Sequence, residues 1–151
     1  MPSPPEDLSF VAATPDRLPE LAVLLGGLGL PADDLAPALL PGFELALDTA
    51  GRLIGAAGIE VAGGDALLRS VAAAADWRGR GLGRRLVERR EAAARAAGIR
   101  RIYLLTTGAD AFFRHLGYCD MARDEVPAAI AAHPQFRTLC PKSATCLAKE
   151  I

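Results

Sequence analysis

The sequence predicts one mixed α/β domain: a mainly antiparallel sheet with a single parallel pair of central strands, flanked by helices. Three observations predict it. Apolar runs of strand length alternate with segments of helical spacing. Two turn signals, residues 48–52 and Ala62-Gly63-Gly64-Asp65, tie three of those runs into a meander. The order strand, loop, helix, strand from Leu67 to Thr106 then requires a crossover, and a crossover makes the 102–106 strand parallel to the 67–75 strand.

The elements follow in order. Leu8 to Ala13 reads as a first strand. Residues 16–28 place apolar side chains at 18, 21, 22, 24, 25 and 28, the spacing of a helix, and Gly29 and Pro31 stop it. Asp33-Asp34-Leu35 starts a short second helix that ends at Pro41-Gly42. Phe43–Leu47 and Leu53–Val61 are strands, and Leu67–Ala75 is the third member of the meander. In the helix after it, Leu82, Leu86, Ala93 and Ala97 line one face, and Gly98 ends it. Ile102–Thr106 is a buried strand, and Ala109–Leu116 a short helix closed by Gly117. Tyr118–Arg123 and Ser143–Lys149 are final strands, with a short helix at 127–132 between them. The reading gives one domain over residues 1–151, without repeats or linkers.

Composition limits the function classes. The chain has 151 residues and is 51% hydrophobic, enough for a real core and unlike a disordered chain. Its formal net charge of −1 argues against a general nucleic-acid binder. The longest apolar stretch, Leu21–Leu30, is too short and glycine-rich to span a membrane. The acidic N-terminus lacks the apolar core of a leader. Cys119, Cys140 and Cys146 are odd in number and lack Cys-x-x-Cys spacing, so a cytoplasmic protein with free thiols is expected, with no metal centre.

Residues 66–84 carry the chemistry. An apolar strand ends in Trp77-Arg78-Gly79-Arg80-Gly81-Leu82-Gly83-Arg84, and that loop opens a helix. A helix start presents N–H groups and a positive dipole end, which together suit a phosphate. The glycines let a ligand approach the main chain. Arg84 and Arg85 sit in the first helical turn, where the dipole disfavours each cation by about 0.3–1 kcal/mol. Positive charge crowded at a positive helix end is explained by an anion seated there. The spacing fits neither a P-loop, which needs Gly-Lys-Ser/Thr, nor the Gly-x-Gly-x-x-Gly dinucleotide fingerprint, whose third glycine would fall at Arg84.

Arg78-x-x-Gly81-x-Gly83 instead matches the Arg/Gln-x-x-Gly-x-Gly/Ala signature of the GNAT acyltransferases. The chain resembles that family through this loop, the preceding strand, the Leu86/Val87 helix and the Phe112-Phe113-x-x-Leu116-Gly117-Tyr118 segment. The resemblance implies a GNAT fold and acetyl-CoA as co-substrate. It implies a pyrophosphate on the loop residues Arg78, Gly79, Arg80, Gly81, Gly83 and Arg84. It also implies a pantetheine arm along Val71 and Ala73, beside a strand bulge that is not legible here, with Phe113 also at the cofactor. Many members pair into homodimers.

The tail, Arg123-x-x-x-Pro127-x-x-Ile130 and then Gln135-Phe136-x-x-Leu139-Cys140-Pro141-x-Ser143-Ala144, is similar to GNAT proteins associated with bacterial arsenic-resistance operons. That similarity covers Leu53 to Ile151 and implies acetylation of an amine, on an amino acid or an organoarsenical one. The Leu104-Leu105-Thr106-Thr107 and Phe112-Phe113 layout resembles short glutamate N-acetyltransferases.

Acyl transfer to an amine needs a base, a polarised carbonyl and a proton for the thiolate. Glu60, in the apolar run Ile59-Glu60-Val61, is the candidate base, since desolvation would raise its pKa; a solvated rim glutamate or an ion pair with Arg69 is the competing role, and Glu44 is the reserve. A backbone N–H near Val71 is the candidate oxyanion donor. Many family members carry a Tyr where this chain has Phe113, which donates no proton, and Tyr118 falls beyond the helix as a core residue. The thiolate therefore leaves unassisted or takes its proton from Ser70. Arg69 interrupts an apolar strand; it either points to solvent or, pointing inward, is the candidate for a carboxylate-bearing acceptor, with Thr106 and Thr107 adding hydroxyls. A non-catalytic acyl-CoA sensor is the rival reading, supported by Phe113.

Overall fold

In the computed structural model, residues 8–151 are described, with the main chain alone at Leu139. The N-terminal stretch read as lacking a leader lies outside them. The strands β1 (Leu8–Ala12), β2 (Phe43–Asp48), β3 (Leu53–Ala62), β4 (Asp65–Ala73), β5 (Arg101–Thr106), β6 (Cys119–Asp120) and β7 (Thr145–Glu150) form one sheet in the order β1-β2-β3-β4-β5-β7-β6. The α-helices are α1 (Leu18–Gly27), α2 (Leu82–Ala96), α3 (Asp110–His115) and α4 (Ala128–Ala131). Pairing is antiparallel except that β4 runs parallel to β5, through Ala66↔Ile102 and Leu67↔Tyr103, as the crossover requires. Two compact units divide the chain: one holds residues up to Gly58 with Ser70–Arg90, the other Ile59–Arg69 with Glu91–Ile151.

In the first unit β2 and β3 are covered on both faces, which is why they read as continuous apolar runs. Leu45, Leu47, Leu53 and Ala56 pack with Leu21 and Leu25 of α1. The alternate side chains Ala46, Ile54 and Ala57 pack with Trp77, Leu82 and Leu86 at the start of α2. The pairing of Ala46 with Gly55 and of Leu47 with Leu53 skips Ile54, an irregularity that adjusts which side chains face which helix.

In the second unit β5 and β7 pair from Arg101↔Glu150 to Thr106↔Thr145. One face carries Leu67, Tyr103, Cys146 and Ala148, and Val126, Ile130 and Phe136 cover it. The sheet there is pinned by a buried polar network. Tyr118 Oη donates to Glu91 Oε2 at 2.9 Å, and Lys149 Nζ donates to both Glu91 oxygens at 3.2 and 3.1 Å and to the Leu116 carbonyl at 2.8 Å.

Four expectations need correction. No α-helix forms at residues 33–41; a 3-10 stretch spans Pro37–Gly42, because the residue before a proline is pushed out of the α region and Ala36 is extended (φ −148°, ψ 158°). The buried face of α2 runs through Leu82, Leu86, Val87, Glu91 and Ala94, while Ala97 is exposed, because a buried glutamate stands where an apolar residue was expected. The β4 strand ends at Ala73, two residues early, and its place is taken by a 3-10 turn over Ala75–Trp77. The strand expected at 118–123 shrinks to Cys119–Asp120, and a π-helical turn that the sequence did not signal spans Gln135–Leu139.

Candidate active site

The loop between β4 and α2 belongs to the first unit. Its turn covers residues 78–81 and α2 begins at Leu82. Gly79 and Gly81 both have φ of +78°, a conformation that side chains oppose, and a Cβ at either would meet nothing within 4 Å. The glycines are therefore required by the backbone path and not by crowding, and the main chain there is open to a ligand. The Arg85 N–H bonds the Gly81 carbonyl at 3.1 Å, so the helical ladder starts there and the N–H groups just before it lie in its first turn. Open glycine backbone at a helix N-terminus is an arrangement able to accept an anion.

The arginines around the loop each have a local contact as well. Arg80 lies 4.6 Å over the Trp77 ring, Arg84 Nε reaches Glu88 at 3.2 Å, and Arg85 lies 4.9 Å over Phe10. Arg78, Arg80 and Arg84 are exposed, so their heads remain available to an anion. Upstream, Ser70 is buried and holds φ of +58°, in the left-handed region that a non-glycine residue rarely enters. Such strain inside a strand breaks its regular pleat just before Val71 and Ala73, the residues expected to face a pantetheine arm.

Glu60 and Arg69 belong to the second unit and meet. Residues two apart on a strand share a face, so Glu60 lies on the face of Ala62 and Arg69 on that of Leu67. The Arg69 side chain is 0% exposed, and its Nη1 donates to Glu60 Oε2 at 2.8 Å. The other carboxylate oxygen, Oε1, lies 2.9 Å from Nε2 of His133. The Gln135 N–H donates to His133 Nδ1 at 3.0 Å, so the ring carries its proton on Nε2 and donates it to Glu60. Burial pushes the Glu60 carboxyl up, as the sequence suggested. The hydrogen bonds from His133 and Arg69, with the guanidinium charge, outweigh it and hold the group below the ordinary carboxylate range. The expectation of a raised pKa is corrected: Glu60 is ionised and ion-paired.

The other candidates sort by contact. Thr106 Oγ1 accepts the Ala109 N–H at 3.2 Å, a local bond at the entry to α3, and Thr107 is exposed. Phe113 is buried, edge-on to Phe112 at 5.0 Å and to Tyr118 at 5.8 Å between ring centroids. Tyr118 is core, as expected, and burial together with the Glu91 carboxylate raises its pKa. Glu44, the reserve base, is taken up by Arg89, whose Nε and Nη2 donate to its two oxygens at 2.6 and 2.8 Å. Cys146 is buried and its thiol is pushed up to about 11 by burial, whereas Cys119 is exposed. Among the described residues no cluster of three or more His, Cys, Asp and Glu is placed to hold a metal, and no helix is long and apolar enough to cross a membrane.

His133 and Glu91 went unread in the sequence. One of only two histidines, His133 lies inside the tail motif yet outside its quoted positions, and that rarity was the available signal. The loop residues and Ser70, Val71 and Ala73 fall in the first unit; Glu60, Arg69, His133, Thr106, Thr107 and Phe113 fall in the second.

A family model described as the acetyltransferase (GNAT) family matches residues 30–118. Mouse N-alpha-acetyltransferase 80 is 52% identical over 52 residues, 34% of this chain and 17% of that protein. An uncharacterized N-acetyltransferase, CT2212 of Chlorobaculum tepidum, is 33% identical over 79 residues, 52% of this chain and 48% of that protein. The matched stretches thus span less than half the length of these relatives. The fold is shared with N-acetylglutamate synthase from Neisseria gonorrhoeae, solved with coenzyme A and N-acetyl-glutamate (TM-score 0.83, 20% identity, 95% of this chain and 35% of that one). It is shared too with Rv2747 from Mycobacterium tuberculosis, solved with CoA and NLQ (TM-score 0.77, 19% identity, 95% and 99% coverage).

Proposed function

The chain belongs to the acetyltransferase (GNAT) family, and from that premise we propose that it transfers the acetyl group of acetyl-CoA to the amine of a small anionic, amino-acid-like acceptor. One observation carries the reading: Gly79 and Gly81 hold positive φ beside open space at the start of α2. That is a backbone cradle for a diphosphate, which acetyl-CoA supplies. Residues 1–151 form one acetyltransferase domain in this reading. Arg78, Gly79, Arg80, Gly81, Gly83 and Arg84 hold the diphosphate, and Val71 and Ala73 offer main chain to the arm.

The acceptor reaches the enzyme as an ammonium ion. Glu60, kept ionised by Arg69 and His133, attracts it and draws its proton away to water. The freed nitrogen lone pair attacks the thioester carbon, an N–C bond forms, and the developing oxyanion is met by the backbone N–H near Val71. The C–S bond then breaks and the electron pair leaves on sulfur. Phe113 cannot protonate that sulfur, and the Tyr118 hydroxyl is committed to Glu91. The thiolate, with a pKa of about 8.5, leaves without a tyrosine, and the proton that the acylated nitrogen sheds passes to it through water or through the Ser70 hydroxyl, which regains a proton as it gives one. The products are the N-acetylated amine, coenzyme A and one proton.

Arg69 supports an anionic acceptor in this reading, because a guanidinium on an apolar strand suits a planar carboxylate. The N-acetyl-glutamate and coenzyme A in the Neisseria structure support an amino-acid acceptor. The tail similarity extends that class to organoarsenical amino acids. Thiol release from acetyl-CoA, measured across glutamate, aspartate, other amino acids and an arsenical analogue, tests the reading. Turnover is expected with acidic acceptors. Tight coenzyme A binding with no turnover on any amine would establish the alternative that Phe113 favours, a non-catalytic acyl-CoA sensor.

A further inference from the structure

We propose that His133 is the positioning residue for Glu60, presented by the segment 123–144 so that its Nε2–H fixes one carboxylate oxygen while Arg69 fixes the other. The inference rests on the acetyltransferase reading for its kinetic consequence, but the contact itself does not.

Two features make His133 more than a chance neighbour. Its tautomer is set by its own chain: the Gln135 N–H occupies Nδ1, so Nε2 has to be the donor. And the segment that carries it is built to hold still. The Arg123 guanidinium donates to the carbonyls of Phe136 at 2.9 Å and Pro141 at 2.8 Å, and sits 5.7 Å over the Phe136 ring. Ile130 is 0% exposed in the core of the second unit. The Cys140 N–H closes on the Gln135 carbonyl at 3.1 Å. The residues of the tail motif thus spend their bonds on the shape of the segment, and the side chain that the shape delivers is His133.

A carboxylate with each oxygen held by a separate donor has one orientation. Its remaining lone pairs then point one way, and an acceptor ammonium meets them without a rotamer search. The groups that face Glu60 are Arg69 from β4 and His133 from the segment after α4. His133 offers no lone pair to a substrate, since Nδ1 is taken and Nε2 bears the proton. It acts through Glu60 and is not itself a base.

The test compares His133→Ala and His133→Gln with the unaltered chain. Glutamine returns an N–H at the reach of Nε2. In His133→Ala the kcat with acetyl-CoA and the fastest amino-acid acceptor should fall about tenfold, short of the 10²–10⁴-fold expected for losing a base outright. The acid limb of its pH–rate profile should move to higher pH, and His133→Gln should recover most of both. The Glu60 carboxyl resonance in 13C-labelled protein gives a readout without turnover: its titration should move up in His133→Ala and return in His133→Gln. An unmoved titration and acid limb in a His133→Ala variant with native circular dichroism would overturn the proposal. If the unaltered chain acetylates no amine, the acetyltransferase reading fails, and the carboxyl titration still decides the role of His133.

Discussion

The glycine loop of the first unit and the Glu60 site of the second are made of different materials. The loop works with main chain. The role proposed for it rests on two positive φ angles and a helix start, and all the residues it needs are within eight positions of one another. The Glu60 site works with side chains. Its three members come from β3, β4 and a segment more than sixty residues further on, and each is defined by the others. A backbone site is encoded locally and tolerates change around it. A buried charge network is encoded at a distance and depends on every member.

The sharpest break of that contrast is Gly81→Val. A β-branched residue at φ of +78° is a genuine outlier, so the loop must re-route. The local penalty of about 1–3 kcal/mol falls on the conformation that binds, a loss of coenzyme A affinity of about tenfold to a hundredfold by calorimetry. Because no described atom lies within 4 Å of the new Cβ, the stability loss should not exceed that backbone penalty, and the melting temperature should fall by only a few degrees. An affinity equal to that of the unaltered chain would show that the diphosphate does not use this turn.

Glu91→Ala addresses the opposite material. Glu91 is buried and takes hydrogen bonds from both Tyr118 and Lys149, so its loss strands an ammonium and a phenol. A stability loss of about 3–5 kcal/mol in denaturant melts is expected. Tyr118→Phe removes one bond and leaves the ion pair, and should cost about 1 kcal/mol. Equal losses for the two would mean that Lys149 contributes nothing and the network is a single hydrogen bond.

The same contrast explains what the sequence disclosed. The meander, the crossover and the parallel pair are written in local periodicity and turn chemistry, and the loop is written in glycine spacing. Ser70 and its strain are not, because a serine carries no sign of a left-handed backbone; only resemblance pointed to a bulge there. Glu91 was passed over because a helical face is recognised by apolar residues, and this one completes its face with a carboxylate. Glu60 was found, but its state was inverted. The burial that should raise its pKa was legible from Ile59 and Val61, whereas the donors that lower it include a histidine 73 positions away. The proline at 37 shows the converse, a purely local rule overriding a helix start that looked sound.

The smallest expected effect probes the network of the first unit. Burial pushes the Glu44 carboxyl up, but the hydrogen bonds and charges of Arg89 and Arg90 bring it below the ordinary glutamate value. A carboxyl depressed in the folded state binds protons less readily there than in the unfolded chain. Its contribution to stability is therefore complete above the unfolded value of about 4.3 and is lost as pH falls through the folded pKa. Glu44→Gln should lower stability by about 1–2 kcal/mol at neutral pH, a modest figure because the Arg89 side chain is 47% exposed. Below the folded pKa the variant and the unaltered chain should converge. A gap that persists undiminished into acid would mean that Glu44 contributes through its packing under Arg90 rather than through its charge, and the networks of the two units would then differ in kind.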